Sequence, residues 1–386
     1  MMFLPLGCFL PRTAFLLLLL LFVFSSFRPT QTEVVRSISD CADFLLNQSP
    51  PQIPNILEDG KILDQNRYKP ICQTYRNTRT FLTLYDTIGK IPVFSAIKFV
   101  QDKNPGKRPK NPKWMIEPQL EDESAGENMK RDKNTKRNKN MEIDKEEVPY
   151  KSQASNLDYE SSTPYNRGHL YPSSYASNKT IKTSTFTLTN IVPQVKSFNG
   201  VSWGKMETCV KCFMEKFCKN SNGVTEGYVV TGAQPGTEKL KNRVNIPSRM
   251  WSAFCCYSDD QKAWLASAHW GENVADKSQD EYLQTKSLND LYKDLKDLYK
   301  DLKVPTFNIF PGTKCPPDMD VSKLYPELNK SCKCPPPGLA SSRKTKKWPT
   351  CATRLHPGHP LCAIYPRCPT LHRTHPCCPG LSTKRC

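Results

Sequence analysis

His169 follows Arg167 by two residues in the segment Asn166-Arg167-Gly168-His169. A second polar segment, Asn190-Ile191-Val192-Pro193-Gln194, begins 21 residues after His169, and a third runs from Phe198 to Glu207 with Asn199 near its start and Trp203 inside it. A histidine is largely neutral near physiological pH and can take a proton from water. An arginine is permanently charged and fits a phosphate oxygen. Asn199 and Glu207 offer oxygens, the donors that hard cations such as magnesium prefer. A base, a cation holder and a phosphate clamp are together what breaking a phosphodiester bond requires.

The elements around these residues must bring them together. In a strand, residues two apart share a face, so Arg167 and His169 point the same way. Thr185 to Val192 (TFTLTNIV) reads as the next strand, with Asn190 near its end. From about 200 to 218, Trp203, Met206, Val210, Phe213, Met214 and Phe217 recur at helical spacing. Asn199 sits where that helix begins. Glu207 lies eight residues on, roughly 12 Å along the axis. Asn199 is therefore the expected direct metal ligand, with Glu207 acting through water.

The three segments resemble the DNA/RNA non-specific endonucleases with a ββα-metal finger, which include endonuclease G. That family's motif reads Asp-Arg-Gly-His, then Asn-x-x-Pro-Gln, then Asn-x-Gly and a Glu with a Trp between; here the segments are NRGH at 166–169, NIVPQ at 190–194 and FNGVSWGKME at 198–207. More narrowly, the chain is similar to secreted vertebrate members, through its signal-like N-terminus, GKRPK and WMIEPQL at 114–120. The resemblance spans about residues 60 to 310. It implies His169 as general base, Asn199 as the metal's protein ligand and Arg167 as the group that steadies the phosphorane. It also implies catalytic parts for Glu207 and Asn190, which position the metal's waters or support the site, and products with 5′-phosphate and 3′-hydroxyl ends. A further family arginine precedes the Trp-x-x-x-Pro segment, and Arg108 is the nearest candidate, as a substrate contact. Two departures stand out. Gly200 follows Asn199 directly, and Asn166 occupies the usual Asp position, which keeps the hydrogen-bonding shape and removes a charge.

The remaining chain sets the context. It has 386 residues and a net charge of +18, which attracts polyanions but says nothing about fold. Arg12 and the apolar run Ala14 to Phe24 read as a signal peptide over 1–27, too short to span a membrane. Sixteen cysteines follow it, and sequons occur at Asn47, Asn178 and Asn329. Both fit a secreted, disulfide-bonded glycoprotein. Cys41 and Cys72 are expected staples. Cys209 and Cys212 have the spacing of half a zinc site, but no matching pair exists, so disulfides are the better reading. His269 lies on a strand-like run and reads as structural, and Trp203 reads as core. Residues 102–157 are dominated by Lys, Asn, Asp and Glu and read as a charged surface loop. Residues 316–386 are rich in Cys, Pro and basic residues and read as an irregular tail.

The expected fold is α+β: a mixed, mainly antiparallel sheet with helices and a ββα finger, over an endonuclease domain at 28–315. The expected activity is a secreted, extracellular, Mg2+-dependent endonuclease (Mn2+ as the alternative ion) acting on DNA and RNA through backbone phosphates, without a membrane span. The alternative is a catalytically impaired nucleic-acid-binding or immune scaffold on the same fold, motivated by Asn166.

Overall fold

Two runs of β-branched and aromatic residues on either side of Ile88-Gly89-Lys90 form a hairpin, with Lys90 in the left-handed region at φ 55°. It belongs to a six-stranded sheet. In chain order the strands are β1 (Tyr68–Tyr75), β2 (Thr78–Asp86), β3 (Ile91–Val100), β4 (Tyr165–His169), β5 (Ile191–Val195), β6 (Glu226–Gln234), β7 (Arg249–Ser258) and β8 (Ala263–Glu272). The main helices are α1 (Gly204–Phe217), α2 (Leu288–Leu298), α3 (Val321–Leu324) and α4 (Leu328–Cys332). The large sheet has the order β8-β7-β6-β3-β2-β1, and all its pairings are antiparallel. β4 and β5 form a separate antiparallel pair, and α1 follows them. The architecture is therefore α+β, with a strand-strand-helix unit set on a sheet.

The computed structural model describes residues 33–101, 105–133, 150–161, 164–298, 307–325 and 327–335. The signal segment expected at 1–27 and most of the tail lie outside the described residues. No described helix is long and apolar enough to cross a membrane.

Both faces of the large sheet are covered, which explains its nearly continuous apolar runs. Side chains alternate between the faces. Phe81, Phe99, Val229, Phe254 and Leu265 meet Trp203, Met206, Val210, Phe213 and Met214 of the finger helix. Leu82, Phe94, Val230, Ala253 and Ala266 meet Leu288, Leu291 and Leu295, the single apolar stripe of α2. The same alternation separates the adjacent pair on β7. Cys256 bonds Cys218 at the end of α1, and Cys255 bonds Cys315 on the other side.

Three expectations change. Residues 102–157 do not form only a solvated loop. Met115, Ile116, Leu120 and Met129 are buried, and Met115–Ile116 pairs with Lys130–Arg131. A few apolar anchors suffice to fix this charged stretch, whose most charged part, 134–149, lies outside the described residues. The ordered chain also runs past residue 315. Cys209 bonds Cys334 and Cys212 bonds Cys332, so α3 and α4 are tied to α1 rather than forming part of an irregular tail. Finally, the second finger strand is Ile191–Val195 alone. Leu188–Asn190 is a tight 3-10 turn, because the buried Thr187, Thr189 and Asn190 spend their side chains on hydrogen bonds that compete with a strand ladder.

Candidate active site

Strand β4 carries Asn166, Arg167 and His169 and pairs with β5, Asn166 opposite Gln194 and Gly168 opposite Val192. Gly168 has a steric reason. A Cβ there would lie 2.2 Å from Gln194 Oε1 and 2.5 Å from its Cβ. Only glycine leaves room for the Gln194 side chain, which is fully buried with neither amide atom partnered among the described residues.

Arg167 and His169 share one face of β4 and meet the same indole. The Arg167 guanidinium lies 5.3 Å from the Trp114 ring centre and 5.4 Å from that of Tyr159. Its Nη2 donates to the carbonyl and the side-chain oxygen of Asn156, at 3.2 and 3.1 Å. Its Nε is buried without an acceptor among the described residues. Burial lowers the Arg167 pKa, and the group stays charged. The His169 ring lies 5.5 Å from Trp114 and 5.0 Å from Phe186, edge-on to the latter. Burial, and then the charge of Arg108, pull its imidazole down to about 3, so it is neutral at neutral pH. Its Nε2 is buried with no partner among the described residues.

Arg108 comes into the same place from the 105–113 segment. Its guanidinium lies 5.2 Å from the Phe186 ring centre, and its charge is felt at both His169 and Glu207. Local spacing in the sequence left this residue uncertain, and the fold brings it to the site. Phe186 and Trp114 together make an aromatic floor, 5.3 Å between ring centres. Trp114 lay in a segment already noticed; nothing in the sequence around Phe186 marked it.

Asn199 lies at the entry of the finger helix and is half-buried. Lys196–Phe198 is α-helical, Asn199–Trp203 is a single π-turn, and α1 continues from Gly204. Such π-turns inside helices occur often at functional sites. Among the described residues no hydrogen bond engages the Asn199 side chain. Glu207 accepts a hydrogen bond from Trp203 Nε1 at 3.1 Å, and its carbonyl accepts one from the Tyr175 hydroxyl at 3.1 Å. Burial lifts the Glu207 carboxyl to about 8, against the pull of Trp203 and Arg108.

Asn190 differs from its expected role. It is fully buried, and every hydrogen-bonding position of its amide is used. Oδ1 accepts from Ser95 Oγ (2.9 Å) and Tyr171 N (3.0 Å). Nδ2 donates to the carbonyls of Tyr171 (3.1 Å) and Thr185 (3.0 Å). An amide has two acceptor and two donor positions, so none remains for water or substrate. His269 is buried on β8, its Nε2 3.0 Å from Thr285 Oγ1, remote from these residues in the hydrogen-bond network.

The donor set bears on a cation. Among the described residues, no group of three or more His, Cys, Asp and Glu side chains could cage an ion. What fits is a hard divalent ion that keeps most of its waters: one free amide oxygen from Asn199, and a carboxylate one helix stretch away with only one oxygen hydrogen-bonded. A buried carboxyl raised to about 8 is also a group that a nearby cation would stabilise in its charged form.

Comparison with known proteins gives a family and two sequence relatives. Residues 60–300 match the family model described as DNA/RNA non-specific endonuclease. The human Endonuclease domain-containing 1 protein is 31% identical over 186 residues, 48% of this chain and 34% of that protein. Its mouse counterpart is 31% identical over 224 residues, 58% of this chain and 40% of that protein. The chain thus spans little more than a third of the length of these relatives. A solved complex of EndoG with EndoGI covers 58% of this chain and 84% of the matched one, at 18% identity and a TM-score of 0.41.

Proposed function

The chain belongs to the DNA/RNA non-specific endonuclease family, and from that premise we propose that it is an active, divalent-metal-dependent endonuclease. It hydrolyses phosphodiester bonds of DNA and RNA with little sequence preference. The observation that carries this reading is His169: a neutral imidazole whose buried Nε2 has no partner among the described residues, on the same strand face as Arg167.

His169 acts as the general base and takes the proton of the attacking water. An imidazole at about 3 is a weak base, but part of that depression comes from Arg108. A phosphate arriving at Arg108 offsets its charge, so substrate binding raises the basicity of His169. Arg167, held by Asn156 and two rings, presents its remaining N–H groups to the charge that develops on phosphorus. Asn199 would hold the cation, with Mg2+ the preferred ion and Mn2+ the alternative, and Glu207 would support it from the same helix. When bound, that cation supplies positive charge to the phosphate oxygens and makes water easier to deprotonate. Asn190 acts through others: it locks the turn that carries Phe186 and the start of β5.

The impaired-scaffold alternative rests on Asn166. Its side chain is exposed, makes no hydrogen bond among the described residues, and lies on the strand face opposite Arg167 and His169. The charge missing there does not touch the base or the arginine, and this favours the active reading. We place the protein outside the cell, a reading supported by five disulfides among the described residues.

The deciding experiment is plasmid and RNA digestion with Mg2+, with chelator, and with His169→Ala. Cleavage that needs both the ion and His169 supports the reading. Folded protein that binds nucleic acid and cuts nothing, including after Asn166→Asp, overturns it.

A further inference from the structure

The π-turn at the mouth of the finger helix coincides with an acceptor from elsewhere in the chain. Asp276, in the loop after β8, accepts the Ser202 backbone N–H at 2.9 Å with Oδ2 and the Ser202 hydroxyl at 3.0 Å with Oδ1. Its own N–H donates to Ser197 Oγ at 3.0 Å, so it holds the turn on both sides. Three residues earlier, Asn273 does the same for β5. Its Oδ1 accepts Val195 N at 2.8 Å, and its Nδ2 donates to the carbonyls of Pro193 (2.9 Å) and Pro247 (3.0 Å). The end of β8 packs closely beside the helix entry: a Cβ at Gly271 would lie 2.7 Å from Leu283 and 3.0 Å from the Phe198 ring. Neither Asp276 nor Asn273 falls within the three motif segments.

The π-turn has a geometric consequence. In a regular α-helix, residues eight apart are offset by roughly 80° around the axis. A π-turn absorbs about one extra residue, so the same pair behaves as if seven apart, and the offset falls to roughly 20°. Asn199 and Glu207 then share one helix face. A side chain inserted against the backbone N–H groups is among the few causes of such a distortion.

We propose that Asp276, with Asn273 fixing the adjoining strand, is a positioning residue that holds the π-turn and thereby sets Asn199 on the face of Glu207 for the divalent cation. The proposal rests on Asn199 being the ligand. Losing the Asp276 acceptor lets the turn relax toward α-helix and swings Asn199 away. The expected effect falls on ion affinity, not on nucleic-acid binding, which Arg108 and Arg167 provide.

The test is direct Mn2+ binding, read as free Mn2+ by electron paramagnetic resonance. The proteins are the wild type, Asp276→Ala, Asp276→Asn and Asn199→Ala, with melting temperature and DNA affinity in chelator measured alongside. Removing a group that orients a ligand lowers metal affinity about 10- to 100-fold. Asp276→Ala should fall in that range with DNA affinity unchanged. Asp276→Asn keeps an oxygen for the Ser202 N–H and should stay within about threefold of wild type. If Asn199→Ala loses Mn2+ and Asp276→Ala does not, the positioning role is overturned and the ligand assignment stands. If Asn199→Ala binds Mn2+ like wild type, the ligand assignment itself falls. Equal losses in both Asp276 variants, tracking melting temperature, would reduce the residue to a structural one and overturn the proposal.

Discussion

The helix side of the site and the loop side facing it are held by different forces. On the helix side, α1 is tied by Cys209–Cys334, Cys212–Cys332 and Cys218–Cys256, and it buries Val210, Phe213 and Met214 in the core. Glu207 is fixed within it by Trp203 and Tyr175. On the loop side, Arg108 is an exposed residue resting on a phenyl ring, and Trp114 and Phe186 touch His169 through ring contacts. Covalent links and core packing fix geometry. Ring contacts and single cation–π pairs, worth about 0.5–2 kcal/mol each, let groups shift. Cation coordination tolerates little displacement, whereas a phosphate backbone of variable sequence asks for adaptable contacts. The division suits an enzyme that reads charge rather than bases.

The largest expected effect is at the residue that both sides enclose. His169→Ala should lower kcat about 10²- to 10⁴-fold with little change in KM, since it removes proton transfer and not binding. A loss confined to KM would show that His169 holds substrate instead.

The second effect tests the rigid side. Replacing Cys332 and Cys334 by serine opens both links between α1 and the 316–335 segment. A disulfide closing a long loop contributes about 2–4 kcal/mol. The variant should unfold at clearly lower denaturant than wild type, and its remaining folded fraction should bind Mn2+ less well. Unchanged stability would mean that packing alone holds α3 and α4.

The third acts on the adaptable side. Arg108→Ala should raise KM about tenfold and leave kcat nearly intact, and the slope of log affinity against log salt should fall by about one. A fall in kcat with an unchanged salt slope would move Arg108 from phosphate contact to the chemistry itself.

This comparison also marks what the sequence could and could not disclose. Arg167, His169, Asn199 and Glu207 could be picked out because residue type and short spacing mark them, and the fold sets Arg167 and His169 on one strand face. The finger helix was legible from its period, whereas the strand read over 185–192 begins only at Ile191. Asn190 was placed at the end of a strand and given a chemical role, because sequence spacing cannot show that four neighbours saturate its amide. Asp276 could not be found at all, because its partner Ser202 lies 74 residues away and no local pattern links them. Residues 105–133 were misjudged by average composition, which hides the few apolar side chains that anchor them.

The smallest effect separates the two sides by pH. Beneath the loop side lies a buried carboxyl pair. Glu117 accepts from Thr187 (2.6 Å) and Thr189 (3.0 Å), the residues beside Phe186, and Glu33 accepts Thr74 N at 3.1 Å. Among the described residues their second oxygens accept no hydrogen bond. Burial raises both, Glu33 well above 4.5, with Glu117 and Glu127 adding to the rise at Glu33. The fold therefore binds a proton that the unfolded chain releases. Its stabilisation is complete below the unfolded value of 4.5 and is lost as pH rises through the raised folded value. Across that window stability should fall by about 1.4 kcal/mol per pH unit for one proton. Glu33→Gln keeps a donor toward Glu117 and removes the titration, so its melting temperature should decline less than that of wild type between about pH 5 and pH 9. Parallel curves for the two proteins would show that Glu33 does not take up a proton on folding. Divergence seen in unfolding but not in Mn2+ affinity would show that the titrating support belongs to the loop side alone.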